Sequence, residues 1–176
     1  MSLEVENTCP SIVEQKAREE LVGYVHEKAR EIRGTYLNYV SVIEAYLYEI
    51  ITNYFCKDGE FRKELFSERI LERMSLEQKK VIMQKIMMKN FPTQWSNRKE
   101  VFSKIERVQK IRNKLAHSTV DVSEEALSRP INLGVGFDLY ENAKPIDDKT
   151  FEEMKADAVK VMIIIQEFGN LIKTLP

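Results

Sequence analysis

The stretch from Arg112 to His117 places an arginine, an amide and a histidine within about 1.5 turns of a helix. Asn113 and His117 are four residues apart, so a helix presents them on one face. Arg112 starts roughly 140° around the helix from His117, but its long side chain can bring the guanidinium back toward the imidazole. A guanidinium donates forked hydrogen bonds to phosphate, and imidazole exchanges protons near neutral pH. These residue types are the minimum set for metal-free attack on a phosphodiester.

The hexamer Arg112-Asn113-Lys114-Leu115-Ala116-His117 lies late in a long predicted helix and resembles the signature of the HEPN superfamily. The resemblance implies a helical bundle that dimerises so that two such motifs face each other. It also implies a ribonuclease, often a toxin or a defence effector. Some members of that superfamily have lost catalysis and only bind.

Composition restricts the class of protein. A chain of 176 residues with 43% apolar side chains fits a single domain over residues 1–176 with a substantial core. No apolar run approaches the about 20 residues that span a bilayer, and no secretory signal is recognisable. Cys9 and Cys56 lie far apart without a Cys-x-x-Cys motif, which indicates neither a disulfide framework nor a zinc site. We therefore expect a cytoplasmic protein with no membrane association, no metal and no cofactor.

Positive charge is concentrated in the middle of the chain. Between Ser75 and His117 eleven Lys and Arg residues accompany three Glu, a local charge of +8, whereas the whole chain carries −1. This distribution is typical of a local anion-binding face. Two ordinary solvated helix surfaces would give the same pattern, so charge alone leaves both interpretations open.

Hydrophobic periodicity predicts an all-α protein, an up-and-down helical bundle with a small β insertion before the last helix. Gly34 is expected to kink or split the first helix of residues 11–55, since glycine costs about 1 kcal/mol in a helix interior. A short helix is expected around residues 68–74. The alternating apolar residues from Ile131 to Leu139 predict a β element within an insertion of about residues 118–149, with a hairpin that turns near residues 142–144 as one form of it.

Capping residues predict where the later helices begin. Ser75 with Gln78, and Thr150 with Glu153, have the spacing of capping boxes. Ser96 or Asn97 is the expected cap of the helix that carries the motif, which places His117 near the carboxy-terminal end of that helix.

Arg112, Asn113 and His117 are the predicted catalytic residues. His117 is expected to act as general acid, general base or both, with Arg112 holding the phosphate and Asn113 orienting His117 or donating to phosphate. The residues predicted to contact RNA are Lys110, Lys114, Ser118 and Thr119. Two structural alternatives stay open: His117 satisfies a carbonyl at the helix end, and Arg112 pairs with Glu106.

One motif supplies a single histidine, whereas in-line cleavage needs both a base and an acid. A two-fold homodimer provides two histidines and two arginines in one cleft. We therefore predict a metal-independent endoribonuclease that cleaves RNA as a homodimer, of the toxin or defence type that the resemblance implies. The alternative is a non-catalytic binding or regulatory module that pairs with an antitoxin, a nucleotidyltransferase-type protein or a nucleotide. A purely structural bundle, in which the motif is coincidental, is the third hypothesis.

Overall fold

A computed structural model of the chain describes residues 11–56, 60–130, 134–138 and 145–175. Helices dominate these residues: α1 (Ile12–Phe55), α2 (Glu60–Arg69), α3 (Leu76–Asn90), α4 (Pro92–Arg98), α5 (Glu100–His117), α6 (Glu124–Leu127) and α7 (Asp148–Lys173). Two short strands, β1 (Thr119–Val120) and β2 (Phe137–Asp138), pair antiparallel. The predicted all-α fold with a β-containing insertion is confirmed. None of the described helices is both long and apolar enough to cross a membrane.

Contacts between helices show their relative directions. Lys28 of α1 lies 3.2 Å from Asp148 at the start of α7, and Tyr46 accepts a 2.7 Å hydrogen bond from Gln166 further along both helices. Helices α1 and α7 are therefore parallel. Helix α5 is antiparallel to α7: Phe102 near its start stacks on Phe168 with ring centroids 6.2 Å apart, and Arg107 further along lies 3.3 Å from Asp157. The carboxy-terminal end of α5 consequently lies at the same end of the bundle as the beginning of α7.

Helix α1 has 44 residues and is continuous through Gly34, so the expected break there is wrong. Ile32 and Tyr36, on either side of the glycine, are buried in the core. Their burial offsets the weak helix propensity of one glycine, because a buried large side chain contributes about 1.5–3 kcal/mol. The first turns of α1, residues 11–20, are exposed and therefore lie outside the packed core.

The cap of α3 was predicted correctly, and two others were not. Ser75 and Gln78 form the expected capping box. Helix α7 is instead capped by Asp147, whose carboxylate accepts from the Thr150 amide at 2.7 Å, so the Thr150–Glu153 box is wrong. Ser96 and Asn97 lie inside α4, and α5 follows without a side-chain cap. The short helix expected at residues 68–74 is replaced by α2 and a 3₁₀ turn over Leu71–Arg73.

The insertion between α5 and α7 packs on the bundle through its strands. Val135 and Phe137 are buried as their alternation predicted, and Val135 pairs with Ile146. Gly134 has a φ of +92°, and a Cβ there would collide with the Ile146 backbone, so glycine is required. Ile131, Leu133, Leu139 and the hairpin turn expected at residues 142–144 lie outside the described residues. Helix α6 was not predicted.

Tyr36 is a buried side chain at the contact between α1 and the other helices. Its ring is 0% exposed, and its hydroxyl has no hydrogen-bond partner among the described residues. Burial raises the pKa of the phenol well above its usual value, and the nearby Arg107 only partly opposes this. The hydroxyl therefore costs stability, because a buried polar group without a partner has lost its hydration.

We expect Tyr36→Phe to raise the free energy of unfolding at neutral pH by about 1 kcal/mol. The advantage of the variant should widen above about pH 10, because the unfolded tyrosine then releases a proton that the folded one retains. In that range the wild type loses about 1.4 kcal/mol per pH unit through this group. Urea unfolding of both proteins at neutral and alkaline pH measures the effect. A variant that is less stable at neutral pH would contradict the unpaired state of the hydroxyl.

Candidate active site

The motif residues occupy the last two turns of α5, where one side of the helix is apolar and buried and the other is polar and exposed. Leu115 is 2% exposed and anchors this end of the helix in the core. The helix ends at His117 because Ser118 adopts an extended conformation, and the amide and hydroxyl of Ser118 both donate to the Lys114 carbonyl, at 3.0 and 2.7 Å. Anchoring of Leu115 leaves Arg112, Asn113 and His117 exposed at the end of the bundle.

The structure places the Arg112 guanidinium against the neighbouring amide. Its Nη1 donates to Asn113 Oδ1 at 3.0 Å, so the guanidinium lies beside the amide of the next residue. The alternative pairing of Arg112 with Glu106 is not formed. Glu106 instead accepts from Lys110 at 2.8 Å, and this contact holds the pKa of the Glu106 carboxyl below its usual range. The Arg112 guanidinium therefore lies at the surface without a carboxylate partner among the described residues.

The His117 side chain has no hydrogen-bond or ion-pair partner within the described ranges. The imidazole therefore does not satisfy a helix-end carbonyl from these residues, as the structural alternative required. It is equally not oriented by Asn113, whose carbonyl oxygen is used by Arg112. A single chain therefore exposes the imidazole without a described side chain that fixes its direction.

The residues predicted to contact RNA differ in accessibility. Lys110 and Lys114 are exposed, and Thr119 is exposed in β1 opposite Asp138. Ser118 is only 7% exposed, and its hydroxyl is bound to the Lys114 carbonyl. A direct contact between the Ser118 hydroxyl and RNA is therefore incompatible with this arrangement, and Ser118 ends the helix instead.

Ion pairs reduce the central positive charge. Three of the cations between Ser75 and His117 pair with carboxylates elsewhere in the fold: Lys79 with Glu44, Arg98 with Glu167 and Arg107 with Asp157. Lys80 and Lys110 pair with Glu77 and Glu106, which lie in the same region and are already counted in its net charge. Arg112 and Lys114 form no ion pair with any residue in the described part of the chain. The positive charge left at the end of α5 therefore comes from the motif itself.

Arg33 of α1 belongs to the site although its sequence context did not indicate it. Its Nη2 donates to the Ser118 carbonyl at 2.7 Å, and the guanidinium carbon lies 5.3 Å from the centre of the Phe137 ring. Arg33 thereby connects α1, the end of α5 and β2. The two residues are 85 positions apart in the sequence, so only the tertiary fold brings them together.

Comparisons with family models, with curated proteins and with solved structures found no match to this chain. The features that indicate a functional class are therefore the motif, its position in the fold and the chemistry of its side chains.

Proposed function

We propose that the protein is a metal-independent endoribonuclease of toxin or defence type, related to the HEPN superfamily, with a site composed of two copies of the motif in a homodimer. The observation that carries the proposal is the grouping of Arg112, Asn113 and His117 on the exposed end of α5. Arg112 and Asn113 are in contact at 3.0 Å, and the guanidinium has no acidic partner among the described residues. A cation without a carboxylate partner is available to an anionic substrate.

The chemistry follows from the side chains. His117 removes the proton from a ribose 2′-hydroxyl, and the 2′-oxygen attacks the adjacent phosphorus. The bond from phosphorus to the 5′-oxygen breaks, and the partner subunit's His117 protonates the departing oxygen. Arg112 from each chain stabilises the additional negative charge on the phosphorane. The products are a 2′,3′-cyclic phosphate and a 5′-hydroxyl.

The homodimer is supported by two groups that one chain does not supply: a partner that orients His117 and a second motif histidine. The His117 imidazole has no orienting partner within the described residues, and one chain offers one motif histidine for a reaction that needs an acid and a base. Two facing motifs bring two copies of Arg112 and Lys114 together, which is unfavourable without an anion between them. An RNA phosphate is an anion that fits this position.

Incubation of a labelled mixed-sequence RNA with the protein in EDTA tests the proposal. We expect fragments that end in 2′,3′-cyclic phosphate, and no cleavage of the all-2′-deoxy analogue, because the attacking oxygen is then missing. Absence of RNA cleavage by folded, dimeric protein would contradict the nuclease proposal.

The second candidate is a non-catalytic module that binds an antitoxin or a nucleotidyltransferase-type protein through the same surface. The exposed, unoriented state of His117 favours it, since a binding surface needs no aligned proton-transfer group. RNA affinity distinguishes the two candidates. Affinity for RNA that falls steeply with added salt supports phosphate binding at the basic surface, and absence of RNA binding supports the protein partner.

A further inference from the structure

An open groove of about 460 Å³ runs along α1 beside the strand that follows the motif. His26, Arg30, Arg33 and Leu37 follow one another at three- and four-residue steps, so they form one face of the helix. Val120 of β1 forms the opposite side. The groove therefore lies between the first helix and the segment leading out of the candidate active site.

The lining of the groove is cationic and contains no acidic side chain among the described residues. Arg33 forms no ion pair with a described carboxylate, since its guanidinium is bound to the Ser118 carbonyl and faces the Phe137 ring. Arg30 pairs with Glu27 at 2.8 Å, but both side chains are largely exposed, at 74% and 68%. Such a surface pair contributes about 0–1 kcal/mol, so a phosphate can readily replace the carboxylate.

The groove and the motif are joined by a short piece of backbone. The Ser118 carbonyl held by Arg33 directly follows His117, and at about 3.3 Å per residue Val120 lies about 10 Å along the strand from His117. Leu37 and Val120 add apolar surface next to the two guanidinium groups. A groove that combines positive charge with apolar surface suits a nucleic-acid backbone, because cations bind its phosphates.

From this arrangement we infer that the α1 groove binds the phosphate–ribose backbone of the RNA strand beside the cleavage point. The inference rests on the proposed ribonuclease function and adds a second contact region for the same substrate. Arg30 and Arg33 bind the phosphates, and Leu37 and Val120 pack against the riboses. Because the contacts are to the backbone, the groove contributes affinity without a preference for base sequence.

Gly34 allows a test that removes no existing contact. It lies in the groove, it is exposed, and an added Cβ would meet nothing within 4 Å among the described residues beyond its own helix. Gly34→Glu introduces a carboxylate into the groove, and Gly34→Gln introduces a neutral side chain of the same size. Gly23→Glu places the same charge on α1 outside the groove, at another exposed glycine with open space around it. All three replacements favour the helix, so loss of folding is not expected.

The measurement is fluorescence anisotropy of a fully 2′-O-methylated RNA, which cannot be cleaved, at one fixed ionic strength. We expect Gly34→Glu to weaken binding at least about tenfold, because a carboxylate opposes the adjacent phosphates. Gly34→Gln and Gly23→Glu should stay within about twofold of wild type, since exposed charges beyond about 10 Å are screened.

Three outcomes overturn the inference, and they differ from failure of the nuclease proposal. If Gly34→Glu binds RNA with wild-type affinity and cleaves it normally, the groove does not bind RNA, and the nuclease proposal is unaffected. Equal weakening by Gly23→Glu indicates a general charge effect instead of a groove. Competition by poly-glutamate as effective as RNA of equal charge indicates an acidic protein segment as the occupant. Absence of both RNA cleavage and RNA binding in the wild type defeats the nuclease proposal itself.

Discussion

Replacing His117 with alanine should reduce the rate of RNA cleavage by about 10²- to 10⁴-fold, the usual contribution of one positioned general acid or base. In the proposed homodimer the substitution removes both proton-transfer groups at once, so the loss should lie toward the upper end of that range. His117→Gln should lose as much activity, because glutamine keeps a polar side chain but transfers no proton. Single-turnover cleavage of a labelled RNA in EDTA measures the rates.

The folded structure should be almost unaffected, which makes the result interpretable. His117 is exposed and has no hydrogen-bond partner within the described ranges, so its removal leaves no buried group unsatisfied. Arg69→Ala, at an exposed residue in the last turn of α2, is a suitable control for an unrelated surface change. Full cleavage by His117→Ala with an unchanged melting temperature would show that the imidazole takes no part in the reaction.

Two substitutions at Arg112 should reduce RNA cleavage to different extents. Arg112→Lys keeps the positive charge but loses the fork that binds two phosphate oxygens and the contact to Asn113. Its activity should therefore fall between that of the wild type and that of Arg112→Ala. Equal activity of the lysine and alanine variants would contradict a role for the arginine charge at the phosphate.

Three features near the motif and at the start of α3 were predicted from neighbouring residues alone. The apolar stripe of α5 and its end at His117 follow from local periodicity, and the Ser75 capping box follows from a four-residue pattern. The exposure of the motif follows from the same stripe, because Leu115 must face the core and its polar neighbours then face outward. Local spacing was sufficient for each of these features.

Features that depend on long-range contacts were missed. The contact from Arg33 to the Ser118 carbonyl joins residues 85 positions apart, and no periodicity indicates it. Ser118 is buried beside the same tertiary contact. The sequence alone could not show that its hydroxyl is inaccessible to RNA. The start of α7 was missed for a different reason, since Asp147 and Thr150 both have residue types that favour caps, and the Asp147 carboxylate is the one that accepts from the helix.

Adding His117→Ala to a fixed amount of wild-type protein should reduce RNA cleavage if each site needs a histidine from both chains, because mixed dimers are then inactive. At a fixed amount of wild type, random exchange with an equal amount of the variant should leave about half of the activity, and a ninefold excess about one tenth. The two proteins are unfolded together in urea and refolded to allow exchange. Refolding with Arg69→Ala in place of the histidine variant controls for losses during refolding. Because this variant keeps an intact motif, cleavage per total chain should stay constant at every ratio, whereas with His117→Ala cleavage per wild-type chain should fall.

Two results would contradict the composite site. Activity that does not change as His117→Ala is added means that each chain carries a self-sufficient site. A particle mass of one chain, 20.6 kDa, under conditions where RNA is cleaved means that no second motif is present. Either result would require the acid and the base to come from one chain. Within the described residues only His26 could then be the second histidine, and it lines the groove on α1 together with Val120 of β1. The mixing experiment therefore distinguishes a site shared between two copies of α5 from a site formed between α1 and α5.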